Sequence, residues 1–427
     1  MRTMLQSVKN TFRSWVLWSQ QYTRTDMLYV ARGGTWVTVG HIGGMALSFL
    51  LAVFFANFTS RELYGSYKFV LAAVSVLGAL SLSGLSSAAI QAVARGHEGT
   101  IGRAMRLQWR WSWILTMAGT AAAVYYTYHS NFTLAISFAA AALTLPLTST
   151  LNIAGGFYAG RKLFREGTLI SLFSRVCTVV AVATAFLIWR SVTATVLAYF
   201  ASTLAGAALT YGYMRYRHHP NHDIDEHAIA FGRHLSFMGI ISVAAVQADK
   251  LFVFHGAGAA PLALYAFAVA FPEQIRGFMK SFLNIGVPKF STTPPDDLRG
   301  SILDKTLRLT AGAILAVAAY WIAAPYLYRI FFPAYLDAVM YSRVYALGLI
   351  LIPGITLFGV GVFVRRHTPR MYALRLIPDI VALVLAATLI PRYGIWGAVA
   401  ENTISWSVMF ILGAFLFFYE RGRSRSK

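Results

Sequence analysis

From Gly33 to Tyr419 the chain is a succession of apolar runs, each about 20 to 28 residues long, separated by short polar loops. A run of that length crosses about 30 Å of hydrocarbon when wound into a helix, and a helix satisfies its own backbone hydrogen bonds where water is absent. About twelve such runs can be read, at 33–58, 63–94, 107–129, 132–160, 168–190, 192–214, 233–255, 261–286, 306–328, 336–364, 371–391 and 394–419. The expected fold class is an all-α polytopic membrane protein. With 57% hydrophobic and 12% charged residues, a soluble globular class is excluded.

A net charge of +21 would point to nucleic acid in a soluble protein. Here the lysines and arginines lie between apolar runs rather than in aromatic-interleaved patches, so they act as topology signals and no nucleic-acid partner is expected. The two ends and alternate loops hold about 27 of the 37 basic residues, whereas the opposite side holds Arg61, Lys68, Arg190, Arg329, Arg343 and Arg392. By the positive-inside rule both termini are cytoplasmic. The longest loops, Arg215 to Arg233 and Lys289 to Lys305, are too short to build a soluble catalytic domain, and the chain reads as a non-enzyme.

The expected organisation is a basic, interfacial segment 1–32, an N-lobe 33–217, a cytoplasmic linker 218–232, a C-lobe 233–419 and a basic tail 420–427. No compact apolar core ending in a cleavage site occurs in Met1 to Arg32, so that segment is expected to stay in the mature protein. The single cysteine, Cys177, rules out an intramolecular disulfide. The linker carries His218, His219, His222 and His227, which read as flexible, solvated surface residues, and no metal site is expected.

AVFFANFTSRELYGSYKFVLA near residue 52 and LFVFHGAGAAPLALYAFAVAF at Leu251 share one pattern: an apolar run, a small or polar turn, and an aromatic-containing return. Each half would hold about six spans in the same orientation, giving two lobes about an axis along the membrane normal with a central cavity between them. The second copy carries charge. Asp249 and Lys250 point about 100° apart on one helix and need not neutralise each other. Glu273, Arg276 and Lys280 stack on one face of the next helix, just after Pro272.

Charge at bilayer depth costs about 2.5 to 3.5 kcal/mol if it meets lipid, so ionisable residues inside spans are expected to face a cavity or one another. Those residues are His41, Lys68, Arg175, Asp249, Lys250, Glu273, Arg276, Lys280, Asp379 and Glu401. Arg175 reads as a snorkelling or structurally paired cation, and His41 as a satisfied buried histidine. Lys68, Lys250, Arg276 and Lys280 are candidates for binding an anionic substrate, with Arg276 too deep to snorkel. Asp249, Glu273, Asp379 and Glu401 are the carboxylates able to couple transport to a proton or sodium gradient.

QADKLFVFHGAGAAPLALYAFA resembles the start of the second half of Wzx-type polysaccharide flippases, and RELYGSYKFVLAAVSVLGALSLSGLSSAAIQAVARG resembles their second span. These flippases belong to the multidrug/oligosaccharidyl-lipid/polysaccharide exporter superfamily. The resemblance implies two six-helix lobes that alternately open a central cavity to either leaflet of a bacterial inner membrane, without a cofactor. It implies an undecaprenyl-pyrophosphate-linked oligosaccharide as substrate, a monomer, and a polysaccharide polymerase and glycosyltransferases as partner proteins. A related lipid II flippase uses cavity arginines for the pyrophosphate, a role that similarity carries to Arg276 and Lys68; this sequence departs in having His41, and no arginine, in its first span. A cation-coupled drug exporter of the same superfamily would favour a cavity of carboxylates and aromatics, and a polysaccharide ligase or glycosyltransferase would need a sizeable extracytoplasmic loop, which is missing.

Overall fold

The computed structural model describes residues 27–285, 295–364 and 368–419. The basic segment up to residue 26 and the tail 420–427 lie outside the described residues. Described residues form α1 (Met27–Phe58), α2 (Arg61–Ala79), α3 (Gly84–Ala94), α4 (Thr100–Trp111), α5 (Trp113–Tyr128), α6 (Phe132–Asn152), α7 (Gly155–Gly160), α8 (Phe164–Trp189), α9 (Val192–His218), α10 (Glu226–Ala257), α11 (Ala259–Ile285), α12 (Pro295–Phe331), α13 (Val339–Leu347), α14 (Ile352–Val364), α15 (Thr368–Tyr393) and α16 (Ile395–Phe418). Short 3-10 turns, Pro333–Ala338 and Gly348–Leu351, flank α13.

Each expected span coincides with one helix or a broken run of helices. Among the described residues nine helices are long and apolar enough to cross a membrane, or ten if α2 and α3, bent by 58° at residues 80–83, are one span. The span expected at 107–129 divides between α4 and α5, and α11 carries Glu273, Arg276 and Lys280 in its second half. The loop expected from Lys289 is shorter than anticipated, because α12 already begins at Pro295.

Local chemistry sets the boundaries. Ser60, Asn131 and Asp225 each accept a hydrogen bond from the backbone N–H three residues on, at 3.3, 3.2 and 2.9 Å, and so cap α2, α6 and α10. Gly258, with φ of 102°, turns α10 back into α11 in a single residue.

The two halves repeat one packing scheme. α1 packs on α8 as α10 packs on α15; α8 pairs with α9 as α15 pairs with α16; α6 lies on α9 as α14 lies on α16. The fold is thus two lobes of matching construction. They meet at the end away from the chain termini, where one core joins Phe55, Tyr64 and Tyr67 of the first lobe to Tyr265, Phe267, Tyr328, Phe332 and Tyr335 of the second. Tyr64 stacks on Phe267 at 4.5 Å and Phe69 on Phe254 at 3.8 Å. Above them Arg61 forks onto Asp337 at 2.7 and 3.1 Å and donates to the Ala334 carbonyl at 2.6 Å.

The lobes have two edges. Along the first, α10 runs antiparallel to α2 and α3, from the Phe69–Phe254 stack through Gln247 and Ser75 (3.3 Å) to Gly84, whose amide donates to Ser236 Oγ at 3.0 Å. Glycines permit that approach: a Cβ at Gly84 would stand 2.4 Å from the Gly232 carbonyl oxygen. Along the second edge α1 meets α11 through Phe49 on Phe271, centroids 5.4 Å apart, and Met45 beside Gly277. Nearer the chain termini His41 and Lys280 are both exposed, so this edge opens there.

The linker backbone is docked on the first lobe; His219, His222 and His227 are exposed as expected, and His218 departs from that expectation. His218 is only 13% exposed and bonds Glu166 at 2.8 Å. Asn221 accepts from the Glu98 and Gly99 amides at 3.0 and 3.3 Å and donates to the Gly96 carbonyl at 2.7 Å. Glu98, 5% exposed, takes the Arg161 guanidinium (Nη2 at 2.9 Å) and the Asn221 amide at 3.1 Å. Polar backbone that would otherwise be free thus finds partners on the first lobe. The Ala228 amide, with Arg95 and His97, holds the Asp225 carboxyl below the usual range, so this cap persists above about pH 4 and is lost as pH falls through its lowered value. Glu98→Ala should cost about 1.5 to 3 kcal/mol by removing charge-assisted bonds. It should also make the 219–225 stretch protease-sensitive in inverted vesicles; undiminished protection would show that Asn221 holds the linker alone.

Candidate functional site

α11 places Glu273 and Arg276 one turn apart, and the two side chains pair at 2.7 Å. Glu273 also accepts from the Tyr345 hydroxyl at 2.6 Å, and the Arg276 guanidinium lies 5.2 Å from the Trp406 ring centroid. Arg276 is therefore oriented from both sides yet stays 24% exposed, leaving donors for a ligand. Lys280, one turn further along the same helix, is exposed. The expected shared face of Glu273, Arg276 and Lys280 holds for the first two as a bonded pair.

Lys68 on α2 is half-buried, with its ammonium 5.2 Å from the Tyr64 ring centroid and no ion pair among the described residues. It sits one turn from the Tyr64–Phe267 stack that joins the lobes. Lys250 corrects the expectation that it and Asp249 need not neutralise each other: its Nζ reaches Asp249 Oδ1 at 3.3 Å. Adjacent Cβ directions do diverge, but four methylenes let a lysine bend back across them.

Asp249 belongs to a buried polar chain in the second lobe. It accepts from the Tyr265 hydroxyl at 2.6 Å; Asn402 donates to that hydroxyl at 3.1 Å and to Glu401 at 2.8 Å; Ser405 donates to Glu401 at 3.2 Å. Asp249 and Glu401 are 7% and 3% exposed. Asp379 stands apart on α15, where Ser242 of α10 donates to it and Arg375 donates to Ser242 at 3.2 Å. The eight expected residues thus fall into separate groups: Asp249, Lys250 and Glu401; Glu273 and Arg276; and Lys68, Lys280 and Asp379 singly. Tyr265, Tyr345, Asn402 and Trp406, which tie these groups together, carry no charge pattern in the sequence and were not anticipated.

His41 corrects the expectation of a buried histidine, since it is exposed on α1. No group of three or more His, Cys, Asp or Glu among the described residues is placed to hold a metal ion.

Residues 30–293, well over half of the chain, match the family model described as polysaccharide biosynthesis protein. No curated protein matches the sequence. Among solved structures, an inward-facing multidrug resistance MATE family transporter of the MOP superfamily is similar with a TM-score of 0.69 and 13% identity, over 89% of this chain and 96% of that one. An outward-facing transporter of the same description gives 0.63 and 14%, over 92% and 97%. A MOP superfamily transporter from Pyrococcus furiosus, described as having a binding pocket of reverse polarity, gives 0.59 and 13%, over 90% and 95%. These likenesses show the fold.

Proposed function

The chain belongs to the polysaccharide biosynthesis protein family, and from that premise we propose that it is a flippase carrying an undecaprenyl-pyrophosphate-linked oligosaccharide between the leaflets of a bacterial inner membrane. The observation that carries this reading is Arg276: a guanidinium inside a span, fixed by Glu273 and Trp406, with part of its surface still exposed. A pyrophosphate diester carries about two negative charges and matches such a planar fork. Lys68 and Lys280 add positive charge on helices that line the junction of the lobes. The α1–α11 edge, closed at Phe49 and Phe271 and open at His41 and Lys280, gives a prenyl tail a route to remain in lipid while the polar head passes between lobes. Translocation breaks no covalent bond, so the protein acts as a transporter rather than an enzyme.

The buried Asp249–Tyr265–Asn402–Glu401 chain supports a coupling role in the second lobe, because two carboxylates share hydrogen-bonded neighbours and only Lys250 pairs with either. The test is reconstitution. Proteoliposomes holding the full chain should expose a fluorescent undecaprenyl-pyrophosphate-linked oligosaccharide at the far leaflet, and Glu401→Gln should weaken dependence on a proton or sodium gradient. Export of a cationic dye without movement of the lipid would establish the drug-exporter reading instead.

A further inference from the structure

Arg175 stands near the middle of α8 and has no hydrogen bond or ion pair with any described residue. α8 has a clear outward face: Leu169, Phe173, Val176, Val180 and Leu187 are all exposed and lie along one stripe at helical spacing. Arg175 is not on it. It shares a face with Val182 and Phe186, seven and eleven residues on, and these are 0% and 4% exposed; Phe186 packs on Phe54 and Phe55 of α1. Yet Arg175 is exposed. At its own level of α8, Thr168 and Leu172 on the same side pack over Gly40 and Gly43 of α1, so Arg175 lies at the α1–α8 contact and off the outward stripe.

Its surroundings agree. A Cβ at Gly44 of α1 would stand 3.1 Å from Arg175 Nη1, so the guanidinium lies across the gap that this glycine leaves. Its charge also bears on the Tyr199 phenol of α9. Two other helices of the first lobe, α1 and α9, therefore bring a glycine and a phenol close to one cation. A structural arginine at this depth would be neutralised by a carboxylate or capped by carbonyls, and a snorkelling one would sit within reach of a helix end. Arg175 has no such carboxylate or carbonyl among the described residues, which departs from the expectation of a paired cation.

We propose that Arg175, set over Gly44 on the inward face of α8, is an oxyanion-binding residue of the first lobe, separate from Arg276 in the second, that holds a phosphate or carboxylate group of the translocated head. This rests on the flippase reading for the identity of the head but not for the existence of the site. Its chemistry admits two sources, a phosphate of the lipid pyrophosphate and the carboxylate of an acidic sugar.

The test uses the full chain in nanodiscs. With Cys177→Ala removing the natural thiol, Arg175→Cys should react with a membrane-impermeant maleimide; absence of reaction would place the residue against lipid and overturn the proposal. Binding is then measured for undecaprenyl-pyrophosphate lipids bearing a neutral or a uronic oligosaccharide, with inorganic pyrophosphate and free glucuronate as lipid-free probes. Arg175→Gln should weaken affinity about ten- to a hundredfold, and Arg175→Lys less. Loss for both lipids assigns the pyrophosphate, and loss confined to the uronic lipid assigns the sugar carboxylate. If the wild type ignores both lipids while Arg175→Gln alters binding of pyrophosphate or glucuronate, the flippase reading falls and the anion site stands. Unchanged affinity for every probe overturns the site.

Discussion

Gly65→Val should prevent the two lobes from meeting at the end away from the termini and should reduce transport at least about fivefold to a hundredfold, while leaving each lobe folded. A Cβ at Gly65 would lie 1.8 Å from the Ala259 carbonyl oxygen and 2.5 Å from its carbon. Both are backbone atoms, so no rotamer change relieves the clash. Ordinary contact needs about 3.5 Å, and α2 must retreat from α11 by roughly 1.5 to 2 Å. Overpacking of this kind costs about 1 to 3 kcal/mol, and here the cost falls on one conformation only. Spin labels at Phe58 and Leu336, exposed on opposite lobes at this end, would report the separation. Gly102→Ala, where nothing lies within 4 Å of the added carbon, is the control. A distance distribution unchanged by Gly65→Val would mean that closure does not depend on this approach.

Arg276→Ala should lower head-group affinity about ten- to a hundredfold, the worth of a charge-assisted contact of about 1.5 to 3 kcal/mol in a partly wet site. Arg276→Lys keeps the charge but loses the planar fork and the stacking on Trp406, and should recover only part of the loss. Glu273 separates binding from mere neutralisation. Without Arg276 its carboxylate keeps the Tyr345 hydroxyl and is 32% exposed, so it remains solvated and the protein should still accumulate. Adding Glu273→Ala removes the unpaired charge. Transport per molecule of protein should stay low in the double variant; full recovery would show that Arg276 serves only to balance Glu273.

The membrane architecture was legible because hydrocarbon imposes one length and one secondary structure on every crossing. That Glu273 and Arg276 share a helix face, where they pair, was legible from a spacing of three. What spacing could not reveal is the partner from another helix. Tyr345 and Trp406 reach Arg276 and Glu273 from α13 and α16, and Asn402 links Tyr265 to Glu401 across a distance in sequence that no periodicity encodes. That Arg175 lacks a pairing partner among the described residues was not legible, because partners are supplied by neighbouring helices. The docking of the linker through Asn221 and His218 was not legible, because polarity is the same for a loop in water and for one whose polar groups are answered by Glu98 and Glu166.

The lobes meet closely where α2 and α3 pack on α10 and where α2 packs on α11, but between α1 and α11 only through a few rings. A body joined so unevenly would part most readily at its thinner contact, as a book opens at the edge away from its spine. The work of parting the pages is concentrated where Phe49, Phe271, Phe331 and Phe332 touch, so trimming one of those rings should change how often the edge opens without weakening either cover. The thin α1–α11 contact is on one side of the molecule only, so any parting of the lobes there would be one-sided in the plane of the membrane.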